Sequence, residues 1–233
     1  MAFPDHKNTY RSEADKYELL ISREDYQGNL IREIERIRVL DGLDIVDLGA
    51  GTGRLSVLLA PRAASLIALD IAPRMLQLAN KKLMNLGLNN YVAAAGDHRA
   101  LPLSNQIADL VVSGWSICYL ADWFPASWKA ELDEAFLEIE RIVRPGGFIL
   151  LIETQGTGYS SPHPPPHLRD YFEYLNRSGF TFTWIRTDYQ FANLNEAVSM
   201  TDYFFGEDLA KIAAEKEWVI LPECTGLWVK SLK

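Results

Sequence analysis

Cysteines, long apolar runs and basic clusters are scarce in this 233-residue chain, and each absence excludes a class of protein. The two cysteines, Cys118 and Cys224, lie far apart, so we expect neither a disulfide framework nor a metal site. No stretch of about 18 apolar residues occurs, and the first residues lack the apolar run of a signal peptide. We therefore expect no membrane span, no metal and a cytoplasmic location.

The charge of the chain argues against one class of partner. Lysine and arginine number 23 and aspartate and glutamate 31, which gives a formal net charge of −8. No run of lysine or arginine is longer than two residues. A protein that binds nucleic acid without sequence preference needs a basic patch or stripe, so we expect no nucleic-acid partner. The sequence is compatible with a homo-oligomer.

Segments typical of strands alternate with segments typical of helices through the middle of the chain. The strands are apolar on both faces, which favours a parallel sheet covered by helices. A helical arm at residues 11–38 precedes this region, and a Gly- and Pro-rich loop at 155–167 follows it. We predict strands at residues 43–48, 65–70, 91–97, 108–115, 148–154, 180–191 and 225–232, and helices at 54–64, 73–87, 127–143, 168–179 and 193–217.

The segment DLGAGTG, from Asp47 to Gly53, places a glycine at every second position between a buried strand and a helix. Such a turn presents free backbone N–H groups and lets a ligand approach the main chain. A phosphate-binding loop would need glycine at position 54, where the chain has Arg54. The dinucleotide fingerprint G-x-G-x-x-G fails as well, because its third glycine falls on Arg54 or Ser56.

The sequence VDLGAGTGRLS resembles the first motif of the class I S-adenosylmethionine-dependent methyltransferases, in particular the type 11, ubiquinone-biosynthesis-methyltransferase-like group. Later motifs of the family have counterparts in the same order: LIALDIAPRML, AAAGDHRALPL, ADLVVSGWSICYL and IERIVRPGGFILLIET. The resemblance covers roughly residues 40–154. It implies an α/β fold with a Rossmann-like doubly wound, mostly parallel seven-stranded sheet, helices on both faces and an N-terminal helical arm. It also implies S-adenosylmethionine as the cofactor and methyl transfer as the reaction.

The resemblance assigns roles to residues at the ends of the strands. The acid after the second strand, Asp70, would bind the ribose hydroxyls, and the acid after the third, Asp97, the adenine amino group. The glycine turn suits the methionine carboxylate of the cofactor, and Tyr10 and Tyr17 of the arm would cover the cofactor. The predicted cofactor site comprises Asp47, Gly49, Ala50, Gly51, Gly53, Asp70, Ile71, Met75, Asp97, His98, Ser113, Gly114 and Tyr17.

The acceptor is predicted to be a small organic molecule. The fourth motif reads SGWS rather than asparagine or aspartate followed by Pro-Pro-aromatic, which argues against planar amide or adenine nitrogens. Trp115 and Tyr119, after the fourth strand, would form the floor under the acceptor, and Tyr159 and His163 would reach it from above. The helical arm and the aromatic-rich segment after Thr154 would roof the site. No residue is predicted to be catalytic.

We expect a single methyltransferase domain over residues 1–233. Its parts would be a helical arm or lid at 1–40, a cofactor-binding core at 41–154, and an acceptor-side insertion with the last strands at 155–233. Two other functions stay open. One is a nicotinamide-dependent oxidoreductase, which the failed fingerprint disfavours, and the other is a non-catalytic S-adenosylmethionine-binding module, which an intact glycine motif does not exclude.

Overall fold

The computed structural model of the protein describes residues 14–233. The first residues of the predicted helical arm, with Tyr10, lie outside this range. The strands are β1 (Asp44–Leu48), β2 (Ser65–Asp70), β3 (Tyr91–Ala95), β4 (Ala108–Gly114), β5 (Val143–Thr157), β6 (Thr181–Arg186), β7 (Tyr189–Gln190), β8 (Ile220–Leu221) and β9 (Glu223–Ser231). The helices are α1 (Ala14–Ile21), α2 (Asn29–Ile37), α3 (Ser56–Leu59), α4 (Pro73–Asn85), α5 (Tyr119–Trp123), α6 (Trp128–Ile142), α7 (Arg169–Arg177), α8 (Leu194–Phe205) and α9 (Glu207–Glu215), with a 3₁₀ turn at Pro166–Leu168.

Seven strands form one sheet in the order β3-β2-β1-β4-β5-β9-β6, which confirms the predicted Rossmann-like α/β fold. Parallel pairings join β1 to both β2 and β4, β2 to β3, and β4 to β5. The strand order reverses beside β1, because β2 and β3 lie to one side of it and β4 and β5 to the other. Ligands of such sheets bind at the carboxyl ends of the strands at this reversal. A ligand-binding site is therefore expected at the turns after β1 and β4.

Apolar side chains explain why these segments pack as they do. Val46 and Leu48 of β1 and Val111 of β4 are fully buried in a core cluster. Helix α6 contributes Leu132 and Ile139, two of its buried residues, to the same cluster. Burial on this scale drives the helices onto the sheet, since apolar area removed from water contributes about 25 cal/mol per Å².

The predicted boundaries differ from the structure in places. The helix expected at 54–64 is only the short α3, and the helical arm is interrupted between α1 and α2. β5 begins at Val143, so it includes residues 144–147, which lie between the predicted helix at 127–143 and the predicted strand at 148–154. Ala108 pairs with Val143 and Leu110 with Phe148, so this segment forms a bulge opposite Asp109. The last predicted loop starts later than expected, because β5 continues to Thr157.

Close contacts divide the chain into two compact units. The sheet unit consists of Arg38–Glu153, Pro165–Thr183 and Gly226–Lys233. The second unit consists of the described residues up to Ile37 together with Thr154–Pro164 and Trp184–Thr225. Both units are assembled from separate stretches of chain, whereas the predicted parts were continuous. β5, β6 and β9 each contribute residues to both units.

The second unit has an apolar cluster of its own. Leu20 of α1 packs with Phe191, Met200 and Leu221 in this cluster. β7 and β8, the second of which the sequence did not predict, form a separate antiparallel pair.

Two features are absent from residues 14–233. No helix there is long and apolar enough to cross a membrane. The same residues contain no group of three or more His, Cys, Asp or Glu that is arranged to hold a metal ion.

Candidate active site

The three glycines of the turn after β1 face different surroundings, although all three have positive φ angles. A methyl group on Gly49 would lie 1.7 Å from Ser116 Oγ, and one on Gly53 would lie 2.9 Å from Ala79 Cβ. A methyl group on Gly51 would meet only Met75 Cε, at 3.8 Å, and the Gly49 carbonyl oxygen, at 4.0 Å. Gly49 and Gly53 are thus glycine because protein packs against them, and Gly51 alone borders open space.

Asp70 holds this open part of the turn in place. Its Oδ2 accepts a hydrogen bond from the Gly51 N–H at 2.8 Å, and its Oδ1 accepts one from the Ala72 N–H at 2.7 Å. Burial raises the pKa of the Asp70 carboxyl, and the two backbone hydrogen bonds oppose that shift. A carboxylate has about four acceptor positions, so two remain for further donors. Ile71, the next residue, is 62% exposed and offers an apolar surface beside them.

Asp47 lies beneath the turn and is fully buried. Its Oδ2 accepts a hydrogen bond from Ser56 Oγ at 2.6 Å. Burial raises the pKa of the Asp47 carboxyl to about 7, because the loss of solvent outweighs the opposing hydrogen bond from Ser56 and Asp70 repels its charge. In this geometry Asp47 ties the end of β1 to the start of α3, and a direct contact with the cofactor stays a prediction.

The turn after β1 and the loop after β4 are joined by three side-chain contacts. Ser116 packs on Gly49, and Leu55 packs so closely on Gly114 that a methyl group there would lie 2.7 Å from Leu55 Cδ1. The third contact places the Arg54 guanidinium carbon 3.4 Å from the centre of the Trp115 ring. We call these six residues the turn–loop clasp. It fixes the predicted acceptor residue Trp115, whose φ of +48° is unusual for a bulky side chain.

His98 contacts two residues of this clasp. Its Nε2 lies 3.0 Å from Ser116 Oγ, and its Cε1 would lie 3.3 Å from a methyl group on Gly49. Burial lowers the pKa of the His98 imidazole to about 4, so the ring is neutral near pH 7. His98 therefore extends from the segment after β3 to the end of β1 as an uncharged hydrogen-bonding group.

Asp97, the predicted adenine ligand, is paired within the protein. Arg99 donates to it from its backbone N–H and from its guanidinium, at 2.7–2.9 Å, and also donates to Glu131 at 2.6 Å. The Arg99 hydrogen bonds lower the pKa of the Asp97 carboxyl to about 2. The carboxylate is charged at every working pH and is half-buried, so it retains acceptor capacity for an amino group.

A buried acid that sequence reasoning missed lies within β5. Glu153 is 1% exposed, and Tyr171 Oη donates to its Oε1 at 3.0 Å. Burial raises the pKa of the Glu153 carboxyl to about 8, so it is largely protonated at pH 7. Glu153 also interacts with Cys118, and burial raises the pKa of that thiol further from the physiological range. Cys118 is consequently an inert thiol of the core.

Two aromatic side chains of the segment predicted to roof the site belong to the core, as expected for some of them. Tyr171 and Phe172 of α7 are buried in the core of the sheet unit, where Phe172 stacks on Trp228 with ring centres 4.8 Å apart. Their amphipathic spacing fits a core-facing helix as well as a lid, which is why the sequence did not separate the two. Tyr119 lies on α5 and stacks on Trp123 at 5.3 Å.

The remaining predicted site residues lie in the second unit. Tyr159 is exposed and stacks on His163 with ring centres 4.0 Å apart. Their segment turns at Gly156 and Gly158, whose φ angles are +123° and +84°. Tyr17 lies on α1 and is half-buried. The roles predicted for these three aromatic and imidazole side chains stay predictions.

The residues at the turn fit an adenosine-containing cofactor. Open space beside Gly51 accepts a ligand close to the main chain, Asp70 has acceptor positions for two hydroxyls, and Ile71 offers an apolar face for a base. Ser113, at the adjacent end of β4, has a buried Oγ without a hydrogen-bond partner among the described residues. No phosphate site is needed for S-adenosylmethionine, which agrees with the absence of both phosphate-binding glycine patterns from this turn.

Known proteins resemble this chain in sequence and in fold. Residues 46–151 match the family described as Methyltransferase domain. A demethylmenaquinone methyltransferase of Lactococcus lactis is 30% identical over 151 residues, 63% of this chain and 56% of that protein. A malonyl-[acyl-carrier protein] O-methyltransferase of a Marinomonas species is 32% identical over 131 residues, 54% of this chain and 44% of that protein. The crystal structure of the YcgJ protein of Bacillus subtilis matches with a TM-score of 0.60 and 14% identity, over 89% of this chain and 99% of that one.

The sheet order and the glycine turn define a Rossmann-like α/β domain, and the structural match supports the same fold. The family match over residues 46–151 and the two relatives in sequence support a class I S-adenosylmethionine-dependent methyltransferase domain in this chain. S-adenosylmethionine is the methyl donor of that family. The chain spans about half the length of the two relatives that it matches in sequence.

Proposed function

We propose that the protein transfers the methyl group of S-adenosylmethionine to a small organic acceptor. The observation that carries this proposal is the open space beside Gly51, bordered by a half-buried Asp70 with free acceptor positions and by the exposed Ile71. When bound, the cofactor supplies an electrophilic methyl group on a sulfonium. The protein then has to hold donor and acceptor in line, and alignment of this kind can supply roughly 7–11 kcal/mol.

Each side chain of the turn has a separate task in this proposal. Asp70 accepts the ribose hydroxyls, Ile71 and Met75 border the base, and Asp97 accepts the adenine amino group. Gly51 lets the ligand reach the main chain, and Gly49 and Gly53 keep the turn packed on its neighbours. Ala50, Asp47, Ser113 and Gly114 are proposed to lie near the methionine end of the cofactor.

The acceptor side is proposed to begin at Trp115 and Tyr119, which follow β4. Tyr159 and His163 are proposed to contribute to acceptor choice, and Tyr17 to cofactor binding, on sequence grounds. The relatives are named for methyl transfer to demethylmenaquinone and to the malonyl group of an acyl carrier protein. The second name specifies transfer to oxygen, and the two names together leave the identity of the acceptor of this protein to experiment.

Calorimetric titration separates the nicotinamide-dependent oxidoreductase from the two candidate functions that bind S-adenosylmethionine. Purified protein is titrated with S-adenosylhomocysteine and, separately, with NAD. We expect binding of S-adenosylhomocysteine and none of NAD, because the turn lacks the third glycine of the dinucleotide fingerprint. Binding of NAD alone would contradict the proposal. A methyltransferase is then distinguished from a binding module by transfer of a radioactive methyl group from S-adenosylmethionine to a metabolite extract.

Truncation of Trp115 tests the proposed division between donor and acceptor. Trp115→Ala is expected to reduce the methyl-transfer rate far more than the affinity for S-adenosylhomocysteine, because the acceptor would lose its position. Tyr91→Ala serves as a control, since Tyr91 contacts Asn80 on an exposed part of the sheet unit. Loss of cofactor affinity with an unchanged rate at saturating cofactor would place Trp115 in the donor site instead.

Three further properties are proposed from the sequence. They are a cytoplasmic location, the absence of a nucleic-acid partner and compatibility with a homo-oligomer. Size-exclusion chromatography with light scattering measures the last of these directly.

A further inference from the structure

His98 and Ser116 form a polar pair to which the cofactor contacts proposed above give no role. His98 Nε2 lies 3.0 Å from Ser116 Oγ, and the two residues follow β3 and β4, respectively. Both residues are half-buried, so each keeps contact with solvent. A methyl group on Gly49, just after β1, would lie 1.7 Å from Ser116 Oγ and 3.3 Å from His98 Cε1. The pair therefore lies at the carboxyl edge of the sheet, where a ligand is expected.

The pair is adjacent to both proposed parts of the site. Ser116 directly follows Trp115, where the acceptor side is proposed to begin. Gly49, which packs against the pair, is two positions before Gly51, which borders the space proposed for the cofactor. A hydroxyl at this point is therefore placed to meet the reacting atom of an acceptor beside the methyl donor.

Both members of the pair have hydrogen-bonding capacity left. A serine hydroxyl has one donor and two acceptor positions, and a neutral imidazole has one of each. The contact with Ser116 is the one hydrogen bond that the chain from residue 14 onward gives the His98 ring. If Ser116 Oγ donates to His98 Nε2, the lone pairs of Ser116 stay available to the hydroxyl of an acceptor.

The charges around His98 keep its imidazole neutral and ready to accept a proton. Burial lowers the pKa of the ring to about 4, Asp97 opposes that shift, and Arg99 adds to it. Arg99 is itself paired with Asp97 and with Glu131 of α6. The turn after β1, the end of β2 and the loop after β4 also carry titratable groups, which are Asp47, Arg54, Asp70 and Cys118. The ring is thus unprotonated at every working pH, with a carboxylate beside it.

We propose that Ser116 binds the hydroxyl group of an acceptor such as a phenol or an enol and passes the proton of that hydroxyl to His98. The inference rests on the proposed methyl-transfer function and adds the class of acceptor. The acceptor oxygen forms the new bond to the methyl carbon as the bond from that carbon to sulfur breaks and its electron pair stays on sulfur. The acceptor proton moves to Ser116 Oγ while the Ser116 proton moves to His98 Nε2. The positive charge lost from sulfur reappears on the imidazolium beside Asp97, so the net charge of the site is conserved.

The tautomer of His98 tests the proposal without any ligand. Proton uptake at Nε2 requires that the neutral ring carries its hydrogen on Nδ1. Long-range proton–nitrogen NMR spectra of the wild type at pH 7 distinguish the two tautomers. The signals missing from His98→Gln identify the ring among the four histidines, and backbone assignment identifies it if that variant does not fold. We expect the hydrogen on Nδ1, and a hydrogen on Nε2 would overturn the proposal.

Four variants prepare the test of the transfer step. His98→Gln and Ser116→Ala each remove one member of the pair, and the double variant removes both. Ser65→Ala is the matched control, because the Ser65 hydroxyl also donates to a side chain of a neighbouring segment, Asp44, but at the amino ends of the strands. Circular dichroism and thermal melting establish that each variant is folded. Titration with S-adenosylhomocysteine shows how much cofactor saturates each one.

The rate of radioactive methyl transfer from S-adenosylmethionine to a metabolite extract is measured between pH 6 and pH 9. The wild-type rate should not depend on pH, because His98 stays unprotonated throughout this range. Each single variant should be slower at pH 7 by about 10²- to 10⁴-fold, the usual contribution of a positioned proton acceptor. The double variant should be no slower than the slower single variant, since residues that act as a unit are not additive.

The pH profile separates proton transfer from a structural role. The rates of the variants should rise by about tenfold per pH unit, because only acceptor molecules that have already lost their proton react. Ser65→Ala should follow the wild type. A loss that is the same at every pH overturns the proposal. Variants as fast as an active wild type also overturn it, and that result is expected for a carboxylate acceptor, which has no proton to lose. A wild type that transfers no methyl group refutes the proposed function, and the inference falls with it.

Discussion

Substitution of Gly51 by alanine separates ligand binding from folding at the turn after β1. Gly51 has a φ of +54°, and its new methyl group would meet no protein atom closer than 3.8 Å. The left-handed conformation costs an alanine about 1–2 kcal/mol relative to glycine. For a protein of this size, each 1 kcal/mol lowers the melting temperature by about 2–4 °C. The variant is therefore expected to fold with a modest loss of stability.

The effect of Gly51→Ala on the ligand should be much larger. The methyl group projects into the open space where the cofactor is proposed to lie, so the ligand must shift away from the main chain and from Asp70. We expect affinity for S-adenosylhomocysteine to fall at least about tenfold, which corresponds to about 1.4 kcal/mol. Calorimetric titration at one temperature measures this affinity.

Gly87 provides the matched control. It follows α4 with a φ of +70°, and no atom lies within 4 Å of a methyl group placed on it. Gly87→Ala should show the same loss of melting temperature as Gly51→Ala and an unchanged affinity for S-adenosylhomocysteine. If both variants bind S-adenosylhomocysteine equally well, the space beside Gly51 is not the cofactor site. Gly53→Ala should lose more stability than either, because its methyl group would lie 2.9 Å from Ala79 Cβ.

Three further predictions concern charge. Asp70→Asn should lower affinity for S-adenosylhomocysteine, because a carboxylate that accepts hydroxyl hydrogen bonds contributes about 1.5–3 kcal/mol per bond; the variant also loses one of the two backbone hydrogen bonds to Gly51 and Ala72, so thermal melting is measured beside it, and unchanged affinity would remove Asp70 from the site. Glu153 keeps its proton up to about pH 8 in the folded protein but releases it near pH 4.5 when unfolded, so the stability that the protonated acid contributes is lost as pH rises through that window. Glu153→Gln should accordingly gain melting temperature relative to wild type between pH 5 and pH 8, whereas Glu134→Gln, at an exposed position, should follow wild type; a difference that is constant with pH would refute the buried-acid interpretation. Finally, electrophoretic mobility shift at about 150 mM salt should detect no tight binding of bulk RNA, given the net charge of −8, and sub-micromolar binding would contradict that expectation.

The fold was predictable, and the turn proposed to bind the cofactor could be located, because each depends on local sequence. The alternation of strands and helices fixed the sheet, and glycines with an acid after the second strand indicated Gly51 and Asp70. The pairing of Asp97 with Arg99 was also accessible, because the two residues are separated by one position.

What the sequence did not reveal depends on contacts between distant segments. Arg54 and Trp115 meet only because β1 and β4 are neighbours in the sheet. The different environments of Gly49 and Gly51 are likewise invisible in the motif, which records glycine at both positions. Glu153 was overlooked because a single acid in a strand forms no sequence pattern that would indicate a site. Its burial depends on α7, whose Tyr171 donates a hydrogen bond to it.

The turn–loop clasp has a consequence for protein engineering. Arg54 and Leu55 follow β1 and Gly114, Trp115 and Ser116 lie at or after the end of β4, yet the two groups pack against each other. If the loop after β4 were replaced by that of a relative with a different acceptor, the new loop would have to pack against a turn after β1 that is shaped for the original loop. The turn after β1 and the loop after β4 therefore act as one structural unit. Transfer of acceptor specificity from a related protein should succeed more often when both segments are exchanged together. Substitutions at position 115 are expected to be accompanied by substitutions at position 54 in natural sequences.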